Sequence, residues 1–160
     1  MKNTSIQFKE IISVCRDLYI KKLKDYGPAW RVLRLPSLTD QIFIKISRIR
    51  TLQEATERMI DEDEEGEFIA IVNYSIMALI QLELGFADQP DLTDEEAIMY
   101  YDKYAIIAHD LMLKKNHDYG EAWRDMRISS ITDLLYQKVL RTKCIGDNKG
   151  KTIVSKGLDA

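Results

Sequence analysis

One heptapeptide occurs twice in this chain, as DYGPAWR at residues 25–31 and as DYGEAWR at residues 118–124. The similarity extends over residues 17–48 and 110–141, where 16 of 32 aligned positions are identical at a constant offset of 93 residues. An internal repeat of this kind indicates that one structural unit is formed twice. Any fold proposed for the chain must therefore accommodate two related units.

The chain has the length of one ordinary domain. Its 160 residues, of which 46% are hydrophobic, are enough to bury one core. We therefore expect a single domain over residues 1–160 in which two units share a core. We place the first unit at residues 6–85, a partial second unit at residues 93–143, and a loop-like tail at residues 144–160.

Hydrophobic residues recur at steps of three and four, and no segment alternates in the manner of a β-strand. The pattern predicts amphipathic helices over about residues 6–24 and from residue 94 to about residue 117. Gly27 is suited to end the first of them. Ser37 and Ser130, each with an acidic residue three positions later, are expected to cap the helix that follows the heptapeptide. The predicted fold class is all-α, a helical bundle.

Residues 61–67 form an acidic run, DEDEEGE, that leads into residues 68–84, which are apolar on nearly every face. Acidic residues favour the start of a helix, and a helix that is apolar all round belongs at the centre of a bundle. Residues 68–84 are therefore predicted to be the central helix. The second unit has no counterpart of this helix, so we expect that unit to be truncated or its apolar face to be covered in a homodimer.

The composition restricts the partners and the location of the protein. A net charge of −3 argues against a general binder of polyanions, so nucleic acid is not the favoured partner. Cys15 and Cys144 occupy unmatched positions of the repeat and lack metal-ligand spacing. No basic segment precedes an apolar run, and no stretch has roughly 18 uninterrupted apolar residues. We therefore expect a cytoplasmic protein that does not associate with membranes.

A lysine and an arginine, three residues apart, lie at or beside the apolar arc of each predicted helix after the heptapeptide. These are Lys45 with Arg48, and Lys138 with Arg141. Such a pair projects to neighbouring points on a helix and could hold a phosphate group. The alternative is an internal salt bridge from Lys45 to Asp25, Asp40 or Glu67, because an unpaired buried cation is costly.

Each heptapeptide also carries a tryptophan with flanking arginines. The set is Trp30 with Arg31 and Arg34, and Trp123 with Arg124 and Arg127. A base stacked on the tryptophan, with arginines on its phosphates, would make a nucleotide pocket. A packed indole with a neighbouring arginine that reaches solvent is the simpler interpretation. The preceding triplets, Asp25, Tyr26 and Gly27, and Asp118, Tyr119 and Gly120, are interpreted as structural.

The acidic run could in principle ligate Mg²⁺, which prefers oxygen ligands. Five consecutive acids, from Asp61 to Glu65, cannot all face one point on a helix, so most of them are expected to form a solvated helix start. Glu67 is the sharper candidate for a metal ligand or for orienting a water molecule, because it adjoins the apolar helix.

Three motifs together resemble the nucleotide modification associated domain 1 family. They are Lys-x-x-Asp-Tyr-Gly at residues 22–27, Lys-x-x-Arg at residues 45–48 and Asn-Tyr at residues 73–74. That family is similar in layout to the all-α nucleotide pyrophosphohydrolases, the MazG-like and dimeric dUTPase-like enzymes. The resemblance implies a nucleotide as ligand and, if the protein is an enzyme, Mg²⁺-dependent hydrolysis of a nucleotide.

The chain departs from the hydrolytic pattern that this resemblance implies. Glu67 matches the glutamate of a Glu-x-x-Asp motif, but Ala70 stands in place of the aspartate, and Lys45 and Arg48 stand where metal-binding acids are expected. Nucleotide binding is therefore the favoured function, with catalysis left open. A non-catalytic helical interaction module and a single-stranded nucleic-acid binder remain as alternatives.

Overall fold

The structure is a computed structural model that describes residues 2–55 and 63–151. Within these residues it contains five α-helices and two short 3-10 helices, and no β-strand. The α-helices are α1 (Lys2–Tyr26), α2 (Leu35–Glu54), α3 (Glu64–Leu84), α4 (Asp94–Tyr119) and α5 (Ile128–Asp147); the 3-10 helices are Ala29–Val32 and Ala122–Asp125. The predicted all-α class is confirmed.

The elements on either side of the two heptapeptides have matching boundaries. Helices α1 and α4 end at Tyr26 and Tyr119, and each is followed by a 3-10 helix and then by α2 or α5, always at the offset of 93 residues. Gly27 and Gly120 have φ angles of 64° and 63°, which a residue with a side chain rarely adopts. The heptapeptide thus encodes the end of one helix and a tight turn into the next.

Helix α3 lies at the centre of the bundle, where it packs against α1, α2 and α4. The Asp63 side chain caps its first turn by accepting a hydrogen bond of 3.0 Å from the Gly66 N–H. The main core brings together Tyr19, Leu23, Trp30, Leu38, Ile76, Met77, Ile80, Ala97, Tyr101 and Ala105. The prediction of a central helix is confirmed, although the helix begins at Glu64, within the acidic run.

Judged by length and composition alone, α3 could cross a membrane, and it is the one helix of the described residues for which this holds. Core helices of globular proteins often meet the same criterion. In this structure α3 contacts three other helices, which is the environment of a core helix.

Two ion pairs join helices α2 and α5, and each connects positions that are equivalent in the repeat to those of the other. Asp40 of α2 lies 3.2 Å from Lys143 of α5, and Arg50 of α2 lies 3.5 Å from Asp133 of α5. Asp133 is the repeat equivalent of Asp40, and Lys143 that of Arg50. A contact from i to j that returns from j to i is what a twofold axis produces.

Aromatic contacts in the same interface also pair equivalent residues of the two units. The equivalent residues Phe43 and Tyr136 stack on each other with ring centroids 5.7 Å apart. Lys143 lies over the Phe43 ring at 4.4 Å, and Arg50 lies over the Tyr136 ring at 4.7 Å. The α2–α5 interface is therefore pseudo-twofold symmetric.

Two details of the sequence analysis are corrected by the structure. Ser37 and Ser130 lie inside α2 and α5, whose N-caps are Arg34 and Arg127. In α2 the earlier start is favoured by Pro36, because a proline in the first turn needs no N–H donor and has a helical φ angle.

The loop-like tail was predicted to begin at residue 144, but α5 continues through Asp147. The added turn is stabilised by Ile145, whose side chain is buried. Residues 148–150 of the predicted tail form a turn, and residues 152–160 lie outside the described residues.

Replacement of Ile80 by alanine should lower the free energy of unfolding by about 2–5 kcal/mol, since it removes methyl groups from the fully buried centre of α3. Ile44 on α2 is exposed, so Ile44→Ala is the matched control and should change stability by less than about 1 kcal/mol. Urea denaturation of both variants measures the difference. Equal losses would contradict the assigned core.

The two cysteines should react at different rates with a thiol reagent. Burial raises the pKa of the Cys15 thiol, whereas Cys144 is exposed on α5. In the native protein at pH 8, mass spectrometry should find rapid alkylation of Cys144 and alkylation of Cys15 only after addition of denaturant. Rapid modification of both thiols would show that the α1–α3 core opens readily.

Candidate functional site

The sequence-predicted cations Lys45 and Arg48 of α2 meet Glu67 of α3. The Lys45 Nζ atom lies 3.4 Å from Glu67 Oε2, and Arg48 Nη1 donates a hydrogen bond to Glu67 Oε1. The Glu67 side chain is buried, whereas both cations are partly exposed. The expected salt bridge of Lys45 is therefore formed with Glu67, and not with Asp25 or Asp40.

In this cluster one buried carboxylate faces two partly exposed cations. The buried carboxylate restrains the lysine and the arginine from behind, because leaving either Glu67 oxygen unpaired in the protein interior would be costly. Glu67 Oε2 makes no hydrogen bond of good geometry beyond its ion pair with Lys45. The cluster is thus a pair of positioned cations with part of their surface turned to solvent.

A cavity of about 270 Å³ lies between α1, the first 3-10 helix and α3. Four aromatic side chains line it, together with smaller apolar residues, one lysine and one amide. The lining residues are Tyr19, Tyr26, Trp30 and Tyr74, with Leu18, Ala29, Leu33, Ala70, Met77, Lys22 and Asn73. Such a cavity is near the small end of the range for ligand sites, roughly 300–1,000 Å³.

The cavity and the cation cluster are neighbours along α3. Ala70 lines the cavity and lies three residues after Glu67, which corresponds to a rise of about 4.5 Å along a helix. The small side chain of Ala70 stands where the resemblance led us to expect an aspartate. Glu67, the partner of the lysine–arginine pair, therefore lies one helical turn of α3 away from the aromatic-walled cavity.

Asn73 is a polar residue inside the apolar helix α3 and ties three helices together. Its Nδ2 atom donates to the carbonyl oxygen of Cys15 at 3.0 Å, and its Oδ1 atom accepts from the Tyr101 hydroxyl at 2.8 Å. Burial raises the pKa of Tyr101 well above its ordinary value. In the sequence, Asn73 contributes only to the family resemblance; an amide within an apolar helix was the signal for this network.

Arg31, predicted to contact a ligand, is buried in a structural network instead. Its guanidinium donates to Asp91 Oδ1 at 2.8 Å, to the Gly85 carbonyl at 2.6 Å and to the Gln81 side chain. Gln81 in turn donates to the carbonyls of Arg31 and Leu33. The hydrogen bond from Arg31 holds the pKa of Asp91 below its usual range. Arg31 thereby joins the heptapeptide to the end of α3.

The equivalent arginine of the second unit, Arg124, is exposed. It donates to Glu121 and to Gln7, both at 2.7 Å, and its guanidinium lies 4.4 Å from the centre of the Trp123 ring. The hydrogen bond from Arg124, with a second one from Thr4, lowers the pKa of Glu121 to about 2. Trp123 is exposed, and it does not line the cavity that Trp30 lines.

The remaining predicted residues are dispersed. Arg34 and Arg127 are exposed at the starts of α2 and α5, Lys138 is exposed on α5, and Arg141 is half-buried. The structure therefore brings together Lys45, Arg48 and Glu67 near Trp30, but it does not join the second-unit residues to that site.

The donor set at Glu67 does not fit Mg²⁺. Lys45 and Arg48 already neutralise this carboxylate, and a divalent cation beside them would be repelled. Within residues 2–55 and 63–151, no group of three or more acidic, histidine or cysteine side chains is close enough to hold a metal ion. Two acids of the predicted run, Asp61 and Glu62, lie outside the described residues.

The sequence matches the family model described as nucleotide modification associated domain 1, over residues 22–82 and again over residues 115–160. The two matches begin 93 residues apart, as do the two copies of the heptapeptide. Comparison with curated proteins and with solved structures finds no match.

Replacing Arg31 by methionine should lower the free energy of unfolding by about 3 kcal/mol, since it leaves buried acceptors around Gln81 and Gly85 without their donor. Arg124→Met, at the equivalent exposed position, should cost much less. Chemical denaturation of the two variants provides the comparison. If both variants lost the same stability, the asymmetry assigned to the two heptapeptides would be wrong.

Proposed function

Because the chain belongs to the nucleotide modification associated domain 1 family, we propose that it binds a nucleotide in the first repeat unit. The base occupies the cavity walled by Trp30 and Tyr74, and the phosphates contact Lys45 and Arg48. The observation that carries this proposal is that Glu67, which holds the two cations, lies one turn of α3 before Ala70, which lines the aromatic cavity. A nucleotide has the same two parts, a flat ring and an anionic chain.

The cavity suits the base because its walls are aromatic and its polar groups are few. Stacking of a base on an aromatic side chain contributes about 1–3 kcal/mol and does not require a particular base. Trp30 is held in place by core packing, including contact with the Tyr19 ring at a centroid distance of 6.4 Å. A wall fixed in this way costs little conformational entropy on binding.

The cation cluster suits phosphate because a lysine and an arginine lie side by side on α2. Lys45 and Arg48 are partly exposed, and Glu67 restrains them from the buried side. An ammonium group combined with a guanidinium supplies a point charge and a planar fork, both of which bind phosphate oxygens. Lys22, at the edge of the cavity, adds a third positive charge near the path between base and phosphates.

The proposal is for binding, and it contains no hydrolytic step. The pyrophosphohydrolase chemistry that the resemblance implied requires a metal held by several carboxylates. In the described residues the carboxylate at this position is paired with two cations. The chemistry of Glu67 therefore supports a role in orienting Lys45 and Arg48.

A thermal-shift panel of deoxynucleoside mono-, di- and triphosphates tests the proposal. A nucleotide at about 100 times its dissociation constant should stabilise the chain by about 2.7 kcal/mol, or several degrees. Lys45→Met should abolish the shift, measured against the melting temperature of the unliganded variant. Lys138→Met removes the same charge from the exposed equivalent position and should leave the shift intact.

Two controls separate the parts of the site. Ala70→Phe narrows the cavity, so it should weaken the binding of nucleotides and leave the binding of inorganic triphosphate unchanged. If inorganic triphosphate raised the melting temperature of the wild-type protein as much as nucleotides do, the site would bind anions without recognising a base. A panel without any shift would reject nucleotide binding and favour the interpretation of the repeated motifs as scaffold.

A further inference from the structure

The pseudo-twofold symmetry of the α2–α5 interface relates the surroundings of α2 to those of α5. In the first unit, α2 packs against α3 as well as against α5. In the second unit, α5 packs chiefly against α2, and none of the described elements occupies the position related to α3. The side of α5 that corresponds to the α3-binding side of α2 is therefore open within the described part of the chain.

Side-chain exposure at equivalent positions shows the consequence. Trp30 is 6% exposed beside α3, whereas its equivalent Trp123 is 40% exposed. Leu35 at the start of α2 is half-buried, whereas its equivalent Ile128 is 63% exposed. The residue types are similar and apolar at both positions. The difference arises because α3 packs against the first heptapeptide, whereas in the second unit it packs against α4.

Two more apolar residues extend this surface. Met126, equivalent to the half-buried Leu33, is 38% exposed, and Leu111 on α4, equivalent to Leu18, is 51% exposed. Trp123, Met126, Ile128 and Leu111 together form what we call the open face. Their equivalents Leu18, Trp30 and Leu33 line one cavity in the first unit, so the repeat predicts that Leu111, Trp123 and Met126 are neighbours. Contiguous exposed apolar surface marks an interaction site.

We propose that the open face binds an apolar helix with the residue pattern of α3. In the open face, Trp123 and Met126 are the equivalents of Trp30 and Leu33, which pack in the core with residues of α3, so its occupant should have the shape and chemistry of α3. This corresponds to recognition of a helix in an apolar groove. The proposal does not depend on nucleotide binding, because it concerns the other repeat unit.

The symmetry also assigns the polar contacts of the docked helix. Gln81 of α3 donates to the carbonyls of Arg31 and Leu33 at 2.9 and 2.7 Å, so a glutamine at the same helix position would face the carbonyls of Arg124 and Met126. These bonds would fix the register of the helix.

A carboxylate at the Glu67 position of the docked helix would face Lys138 and Arg141, as Glu67 faces Lys45 and Arg48 in the first unit. The second lysine–arginine pair lies outside the first-unit cavity, and Lys138 is exposed on α5. The α3 sequence itself carries both the glutamine and the glutamate that the open face requires.

The direct test is titration of the protein with a peptide of residues 64–84, extended by lysines for solubility. The peptide contains no tryptophan, so in a Trp30→Phe variant the fluorescence reports on Trp123 alone. We expect a saturable blue shift as Trp123 becomes buried. A peptide with lysine at the Glu67 position, or a protein with Met126→Lys, should bind at least about tenfold more weakly, whereas Ile44→Lys should bind normally.

Fluorescence anisotropy of a labelled peptide gives the same dissociation constants on the wild-type chain. This measurement does not require the Trp30→Phe variant to be stable. Equal binding of a scrambled peptide would overturn the proposal, as would absence of binding at high peptide concentration. Trp123 could instead become buried as the protein concentration rises, with a dimer observed in sedimentation. This result would also overturn the proposal and assign the open face to a second copy.

Discussion

Burial of α3 is the constraint on which the rest of the structure depends. This helix is too apolar to face water, and α1, α2 and α4 pack around it. Asn73 and Gln81 are the polar residues that fix its position, one by bonds to α1 and α4 and the other by bonds to the first heptapeptide. Because these amides have directional partners, the helix can neither rotate nor slide without leaving buried polar groups unpaired.

One motif has two different structural roles because only one copy of it meets α3. Both heptapeptides end a helix at a glycine of positive φ and continue into a 3-10 helix, which are local consequences of their sequence. Their arginines then diverge, since Arg31 reaches the end of α3 whereas Arg124 reaches the start of α1. The local conformation is thus encoded in the repeat, and the environment is determined by tertiary contacts.

The same division explains how much could be predicted from the sequence. Helix type, the end of the first helix at Gly27 and the central position of α3 follow from periodicity and composition, and all of them were predicted. The starts of α2 and α5 were misplaced, because a serine followed by an acid resembles a cap that the earlier turn at Arg34 makes unnecessary. The pairing of Lys45 with Glu67 was one of three alternatives, since spacing along a helix does not identify a partner on another helix.

The site could be predicted only in part for a related reason. Trp30 and Arg31 are adjacent in sequence, and both were expected to face a ligand, but their side chains have different environments: Trp30 lines the cavity and Arg31 lies in the network at Gln81. Adjacent residues of a 3-10 helix point about 120° apart, so only one of them can face a given cavity. In the proposed nucleotide site the phosphate contacts are therefore assigned to Lys45 and Arg48 of α2, whose partner Glu67 lies one turn of α3 from the cavity-lining Ala70.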